Sequence, residues 1–354
     1  MARDIGIDLG TTNVLIHLKG RGIILNEPAV ITVDRSTQDV IAVGREAYEM
    51  RGRVPDSLEV IQPLKGGVVS DYDLTEAMLL HFFKRAHIRR GLRKANVLIS
   101  TPTSVSEIEQ LSLFEAVQKV TAGHVRVEAE PMVAAIGSGL DVLSPKGCMV
   151  VDIGGGTTDI AIIASGEILH SESIKIAGDD FDEAIIQYFK DHYQLLIGIQ
   201  SAEKIKMQLA CAKKVEGRDV HNQELKGRDL VTGLPKSINV DSNDLYRALK
   251  DLLEQIVRTI RRVIEQASPE IIADIHGQGL VITGGGAMIQ DLDLLITEHV
   301  KVSAIPSDQP MNAVALGTGM MMDWVESGLI DPNKSNKKSS KPNFFIRMWR
   351  SIWK

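Results

Sequence analysis

Two cysteines in 354 residues, Cys148 and Cys211, are too few for a disulfide framework. Both lie in apolar stretches (GCMVV and LACAK), which predicts buried, unreactive thiols and a reducing, cytoplasmic setting. No apolar run reaches the ~18 residues that a membrane-crossing helix needs. No signal peptide is expected either, because Met1-Ala2-Arg3-Asp4 leads straight into an apolar strand. Basic charge is in deficit, with 40 Lys and Arg against 46 Asp and Glu, and the deficit is uneven. Residues 333–354 hold seven Lys and Arg and no acid, so the net −6 divides into +7 there and −13 elsewhere. An acidic body excludes nucleic acid as the main partner. Also missing are Gly-x-x-x-x-Gly-Lys-Ser/Thr, Gly-x-Gly-x-x-Gly, His-Glu-x-x-His and Gly-x-Ser-x-Gly, and the nine His show no metal-ligand spacing.

What is present is ordinary globular composition, 44% hydrophobic and 24% charged, in a chain long enough for two domains. Ile5–Leu9 and Asn13–Leu18 read as strands joined by Gly10-Thr11-Thr12, and Ala29–Val33 as a third after an Asn26-Glu27-Pro28 turn. Residues 34–66 are more polar and broken by Gly and Pro, as in a small inserted subdomain. Helices are predicted over 74–87, over 106–121 and from Pro131, with strands at 95–100 and 125–128. The pattern then restarts: strands at 148–152 and 159–164, helices near 180–194 and 201–211, and a polar β-rich stretch over 215–240. A long helix over 243–266 carries Leu245, Leu249, Leu252, Ile256, Ile260 and Val263 on one stripe. A strand at 279–283 enters Gly284-Gly285-Gly286, and 312–324 closes as a helix whose Met320–Met322 run suits the core.

The informative repeat is a pair of turns. Asp8-Leu-Gly-Thr-Thr and Asp152-Ile-Gly-Gly-Gly-Thr-Thr-Asp stand 144 positions apart, each after one apolar strand and before another. A glycine turn exposes backbone N–H groups and lets phosphate oxygens come close. Threonine hydroxyls add donors. An Asp ending each first strand can hold the water shell of Mg²⁺, an ion that keeps much of its hydration. One such turn reads equally as an ordinary hairpin; two in duplicated settings, with a third glycine cluster after a strand, point to a nucleotide.

The chain resembles the MreB/Mbl family of bacterial actin-like cell-shape proteins over residues 3–330. The resemblance rests on ARDIGIDLGTTNVLIHLKGRGIILNEPAV, EPMVAAIGSG, VVDIGGGTTDIA, IAGDDFDEAI, HYQLLIG, GRDLVTGLP and ITGGGA, in that order. It implies an α/β, actin-like (ribonuclease H-like) duplicated core, with the nucleotide in a cleft between two lobes. The large subdomains would be 1–32, 67–143 and 309–332 in one lobe, and 144–182 and 243–308 in the other. The small ones would be 33–66 and 183–242, and 333–354 a basic linker and tail.

Residue by residue, the resemblance places Asp8 and Asp152 on Mg²⁺ through water. It puts Gly10, Thr11, Thr12 and Asn13 on the phosphates from one side, and Gly154, Gly155, Gly156 and Thr157 from the other. Gly178 and Asp179 would lie beside the ribose, with Glu203, Lys206, Gly284, Gly285 and Gly286 around adenosine. From sequence alone Glu130 reads first as a carboxylate favoured by a helix N-terminus; the resemblance reverses that and has it orient the attacking water with help from Thr157. ATP and Mg²⁺ are the implied ligands, and ATPase-linked filaments that organise cell-wall synthesis the implied function. The implied partners are a second copy, the anionic membrane surface and membrane proteins of the elongation machinery.

Three departures from the family pattern stand out. Thr12 replaces a usual Ala, KMQLACA replaces a KKEIG-like run, and Arg93 follows Leu92 where a second apolar membrane-contacting residue is common. An actin-family division protein of the FtsA type is the alternative, since it too ends in an amphipathic helix. On a helical wheel of the tail, Phe345, Met348, Trp349, Ile352 and Trp353 share one face, with Asn343, Arg347, Arg350 and Lys354 opposite. Trp at the edge and Lys334–Lys341 upstream suit an anionic interface; a disordered tail or one docked on protein is the other reading.

Overall fold

A computed structural model describes residues 4–88, 96–121, 124–215 and 221–329. The membrane candidates Leu92, Phe345, Trp349, Ile352 and Trp353 lie outside those residues.

Three strands open the chain: β1 Ile5–Leu9, β2 Asn13–Leu18 and β3 Gly22–Pro28. A small sheet follows, made by β4 Ile31–Asp34, β5 Val40–Val43 and β6 Leu58–Ile61, with helix α1 Arg45–Met50 inserted. A tight hairpin, β7 Leu64–Lys65 and β8 Val68–Val69, leads to α2 Tyr72–Arg85. Asp71 caps that helix by accepting the Leu74 N–H at 3.0 Å. Then come β9 Asn96–Thr101, α3 Glu107–Thr121, β10 His124–Ala129 and α4 Glu130–Gly137.

The second half begins with β11 Cys148–Ile153, β12 Thr158–Ala164 and β13 Glu167–Ile174, followed by α5 Gly178–Tyr193. Its small sheet is β14 Leu195–Leu196, β15 Asn222–Asp229 and β16 Pro235–Asp241, with α6 Ile199–Leu209 beside it. The long α7 Ser242–Glu265 and α8 Pro269–Gln278 lead to β17 Leu280–Thr283. After α9 Leu292–Val300 and β18 Ala304–Pro306, α10 Ala313–Glu326 returns to the first half.

The two large sheets have the same topology. One runs β3-β2-β1-β9-β10 and the other β13-β12-β11-β17-β18. In each, the first three strands are antiparallel and the last two join parallel to the first. The duplication read from two turns is therefore a duplication of whole sheets. β11 and β12 are buried at every position, the pattern of strands covered on both faces.

The expected turn at Asn26-Glu27-Pro28 is instead the end of β3, paired to β2 as far as Asn13 opposite Pro28. Pro28 is tolerated because β3 is an edge strand. Glu27 is buried there because Arg85 pairs with it at 3.1 Å and the Arg45 N–H donates to it at 2.9 Å. β13, α8, α9 and β18 were not anticipated. β13 alternates exposed and half-buried residues without an apolar run, so nothing in its hydropathy announces a strand. On α7 the stripe is as expected except that Leu253, not Leu252, is fully buried. Both cysteines are buried, as are Met321 and Met322, whereas Met320 is exposed.

Each lobe has its own core, and a third cluster lies between them, built from Met132–Ile136 of α4, Val314, Met321 and Met322 of α10, and Cys148, Val150, Ala161 and Ile163. Here α4 and α10 touch backbone to backbone. A Cβ on Gly137 would sit 1.8 Å from the Ala313 carbonyl oxygen, and one on Gly317 would sit 1.9 Å from that of Val133. Helix propensity alone says that Gly→Ala stabilises a helix by ~1 kcal/mol. At Gly317 the clash is with backbone that cannot move aside. Gly317→Ala should therefore destabilise by ~2 kcal/mol or more and lower the melting temperature by several degrees. Gly277→Ala on α8, where nothing lies within 4 Å, should raise it slightly. Thermal denaturation of the two variants checks the sign of each; equal shifts would refute the close crossing.

Candidate functional site

The two glycine turns occupy equivalent ends of the two large sheets and meet across the cleft. Asp8 is the fourth residue of β1, and Gly10-Thr11-Thr12 turns into Asn13, the first residue of β2. Asp152 is the penultimate residue of β11, and Gly154-Gly155-Gly156-Thr157 turns into β12. A Cβ on Gly155 would lie 1.8 Å from the Thr12 hydroxyl, and one on Gly156 would lie 2.5 Å from that of Thr11. Only glycine fits at these two places, because the opposite threonines already fill the space.

The N-terminus of α5 docks on the second turn. The Gly178 N–H donates to the Gly154 carbonyl at 3.1 Å, and the Asp179 N–H to that of Gly155 at 2.8 Å. Asp179 also receives a long hydrogen bond from the Thr12 hydroxyl at 3.5 Å, which joins both turns and both lobes. On α6, Lys206 reaches back to the same place, donating to the Gly178 carbonyl at 2.7 Å and to Asp182 at 2.9 Å. Gly284, at φ 79°, passes the end of β11 so closely that a Cβ would meet the Ile153 carbonyl at 2.3 Å and Asp152 Oδ1 at 2.6 Å. Gly286 packs on Ile153, while Gly285 has open space around its Cα. Glu203 is not free: the Tyr48 hydroxyl of α1 donates to it from the other lobe, and Gln200 donates to the Tyr48 carbonyl.

Glu130 begins α4 and faces the carboxylates of both lobes. Asp8 and Glu130 keep some contact with solvent through the cleft, whereas Asp152 and Asp159 are 3% and 1% exposed. Loss of water pushes Asp8 up to about 7. It pushes Glu130 well above the usual carboxylate range, with the negative charges of Asp152, Asp159 and Asp8 adding to the effect. Asp152 is raised for the same reasons, burial first, then Asp159 and Asp8. Such a cluster calls for a cation, yet among the described residues no three acidic, His or Cys side chains converge closely enough to hold a metal directly. That donor set fits an ion held through its own water shell, as Mg²⁺ prefers.

Three residues were missed. Asp159 carries a buried oxygen without a partner; it is the final acid of the quoted VVDIGGGTTDIA, and its place opposite Asp152 in the β11–β12 register was the available signal. Asp182 anchors Lys206 and is pushed up to about 7, chiefly by burial; its spacing of four from Gly178 on a helix could have flagged it. Tyr48 had no signal, since its partner is 155 residues away.

The sequence model for the MreB/Mbl protein family matches residues 2–328. The chain belongs to the MreB/Mbl family. It is 48% identical to the cell shape-determining protein Mbl of Bacillus subtilis (strain 168) over 324 residues, covering 91% of this chain and 96% of that one. It is 41% identical to the cell shape-determining protein MreB of Escherichia coli (strain K12) over 330 residues, covering 92% and 94%. Among solved structures it matches MreB5 of Spiroplasma citri bound to ADP with a TM-score of 0.88 at 32% identity, covering 93% of this chain and 98% of that one. The MamK double helical filament matches with a TM-score of 0.77 at 22% identity, covering 91% and 99%, and shares the fold. The actin-like architecture expected of an MreB/Mbl protein is thus the one observed.

The clustered carboxylates give a pH signature. The folded chain holds protons on Asp8 and Asp182 up to about pH 7, and on Glu130 and Asp152 well above the usual carboxylate range, where the unfolded chain has released them, so stability falls as pH rises above about 4. Asp152→Asn removes one member and its facing charge. In EDTA and without nucleotide, its melting temperature should exceed that of the parent at pH 7.5, by the equivalent of ~1 kcal/mol, and the gap should narrow at pH 5. A variant less stable at pH 7.5 would make Asp152 a structural residue.

Proposed function

We propose that the chain binds ATP with Mg²⁺ between its lobes, hydrolyses it, and assembles into membrane-associated filaments that organise cell-wall synthesis and so set cell shape. The observation that carries this reading is the pair of glycine-threonine turns at equivalent ends of two topologically identical sheets, facing each other over buried carboxylates. Relatives agree with it: MreB5 of S. citri is solved with ADP and with AMPPNP, MamK as a double helical filament, and Mbl and MreB are named as determinants of cell shape.

In this reading the backbone N–H groups of Gly10–Asn13 and Gly154–Thr157 hold the phosphates from two sides. Asp8 and Asp152 would hold a hydrated Mg²⁺, and that ion would supply charge neutralisation for the phosphates. Gly178, Asp179, Lys206 and Gly284–Gly286 line the nucleoside side, and Glu203 joins them once Tyr48 releases it. Glu130, with the Thr157 hydroxyl, orients water for in-line attack. Phosphoryl transfer asks for positioning and charge neutralisation more than covalent chemistry, so this inventory suffices. The four-subdomain division given by the resemblance follows, with residues 33–66 and 183–242 as the two small subdomains. The filament would lie on the cytoplasmic face of the cell membrane, with the elongation machinery's membrane proteins as partners.

Glu130→Ala should leave ATP affinity nearly intact and slow single-turnover hydrolysis by on the order of 10²-fold, with filaments that form and turn over more slowly. Hydrolysis at the parent rate would remove Glu130 from the mechanism. Pelleting and electron microscopy with ATP test assembly directly.

The tail supplies the membrane arm of the proposal. Each basic residue near an anionic surface contributes ~1 kcal/mol, ordering a dozen residues opposes insertion, and the many tails of a filament add avidity. Deleting 343–354 should abolish most co-sedimentation with anionic liposomes while sparing ATPase activity. Equal pelleting of full-length and truncated protein, corrected for polymer sedimentation, would sink the membrane arm.

A further inference from the structure

Asp159 lies on β12 directly opposite Asp152 of β11 and is among the most deeply buried acids of the chain. Its Oδ1 accepts two hydrogen bonds from one residue of the other lobe, Thr103, whose N–H stands at 3.0 Å and whose hydroxyl stands at 3.3 Å. Its Oδ2 is buried and has no hydrogen-bond partner. Leaving a buried carboxylate oxygen unpaired is costly, and such groups are rare enough to need a reason. The hydroxyls of Thr157 and Ser173 lie near enough to ease the charge, yet neither completes a bond to Oδ2. Asp159 is also close enough to Glu130 and Asp152 to act on both electrostatically.

Thr103 is not an isolated contact. It sits in the turn between β9 and α3, and its neighbour Ser104 meets Ser173 of the second lobe at 3.1 Å. Pro102, on its other side, packs against the Gly66-Gly67 tip of the β7–β8 hairpin, where a Cβ on Gly67 would fall 2.3 Å from Pro102 Cγ. The Gly67 N–H in turn donates to the Thr11 hydroxyl at 3.0 Å. A path of contacts therefore runs from the first glycine turn through Gly67, Pro102 and Thr103 to Asp159, whose free oxygen leaves only the last link, to the Thr157 hydroxyl of the second turn, unmade.

We propose that Asp159 is a positioning residue for hydrolysis: Thr103 pins one carboxylate oxygen, and the free oxygen orients the Thr157 hydroxyl, through which Asp159 acts on the attacking water beside Glu130. This rests on the ATPase reading above. In the step it serves, the water oxygen bonds to the γ-phosphorus and the bridging P–O bond breaks with its electron pair going to ADP. The water's proton leaves to Glu130. Asp159 exchanges no proton in that step. It holds the acceptor geometry, and because the pin comes from the other lobe it does so only while the lobes are closed.

Asp159→Asn separates positioning from packing. The amide keeps an acceptor for Thr103 and presents a donor where Oδ2 stood. The full-length protein should bind a fluorescent ATP analogue within about threefold of the parent, while its single-turnover rate falls at least tenfold, a loss confined to the chemical step. Thr103→Val, which removes one of the two pinning bonds and lies outside the β12 core, should slow turnover three- to tenfold and be less than additive with Asp159→Asn. Turnover of Asp159→Asn within twofold of the parent overturns the proposal. So does a loss of ATP affinity matching the loss of rate, or full additivity with Thr103→Val. Should Asp159→Asn fail to fold, parental turnover by Thr103→Val overturns it instead. A parent protein that binds ATP and never turns it over sinks the hydrolytic reading together with this proposal, whereas parental turnover with an unaffected Asp159→Asn sinks this proposal alone.

Discussion

The crossing of α4 and α10 sets the geometry on which the cleft depends. Two glycines, Gly137 and Gly317, bring the helix backbones into direct contact, with the Ala313 and Val133 carbonyls filling the space where their Cβ atoms would stand. α10 also packs against the first sheet, where a Cβ on Gly6 would overlap the Thr318 side chain and one on Gly319 would overlap the His17 ring. A helix that belongs late in the chain thus closes the early sheet, and α4 is held against it. Since Glu130 is the first residue of α4, its place facing the carboxylates of both lobes is fixed by that contact. Interiors packed this densely transmit a shift of one helix to its neighbours rather than absorbing it.

Charge imposes the second constraint. Asp8, Glu130, Asp152 and Asp159 converge from both lobes; burial raises the proton affinity of all four, and the neighbouring carboxylates raise it further at Glu130 and Asp152. A fold that spent stability in this way for packing alone would be anomalous, and perturbed carboxylates in a cleft mark functional sites more often than structural ones. The far end of the cleft is arranged differently. There Lys206 offsets Asp182, while Tyr48 of α1 closes across the cleft on Glu203 of α6.

Much of the site was legible because it is built from backbone. A glycine turn between two apolar strands shows in the sequence, and Gly10 and Gly154–Gly156 stand out that way beside Asp8 and Asp152, while Gly284–Gly286 shows as a glycine cluster after a strand. Asp159 and Asp182 were less visible because their roles depend on which residue stands opposite, through strand register for one and the return of Lys206 from α6 for the other. Among the elements, β3 was misjudged because Asn, Glu and Pro form turns in isolation. Its burial depends on Arg85, 58 positions away, and on its being an edge strand.

The sequence by itself determined the family, the duplication and the pair of glycine-threonine turns, since each rests on local chemistry that survives without a partner: glycine for space, threonine for hydroxyls, an acid at a strand end. Tertiary structure alone decided which groups face one another. Thr103 on Asp159, Tyr48 on Glu203, Thr12 on Asp179 and Gly317 on Val133 join residues 56, 155, 167 and 184 positions apart. Contacts at such separations follow from sheet order and helix crossing, which no local pattern encodes, because they exist only once segments far apart in the chain have been brought together.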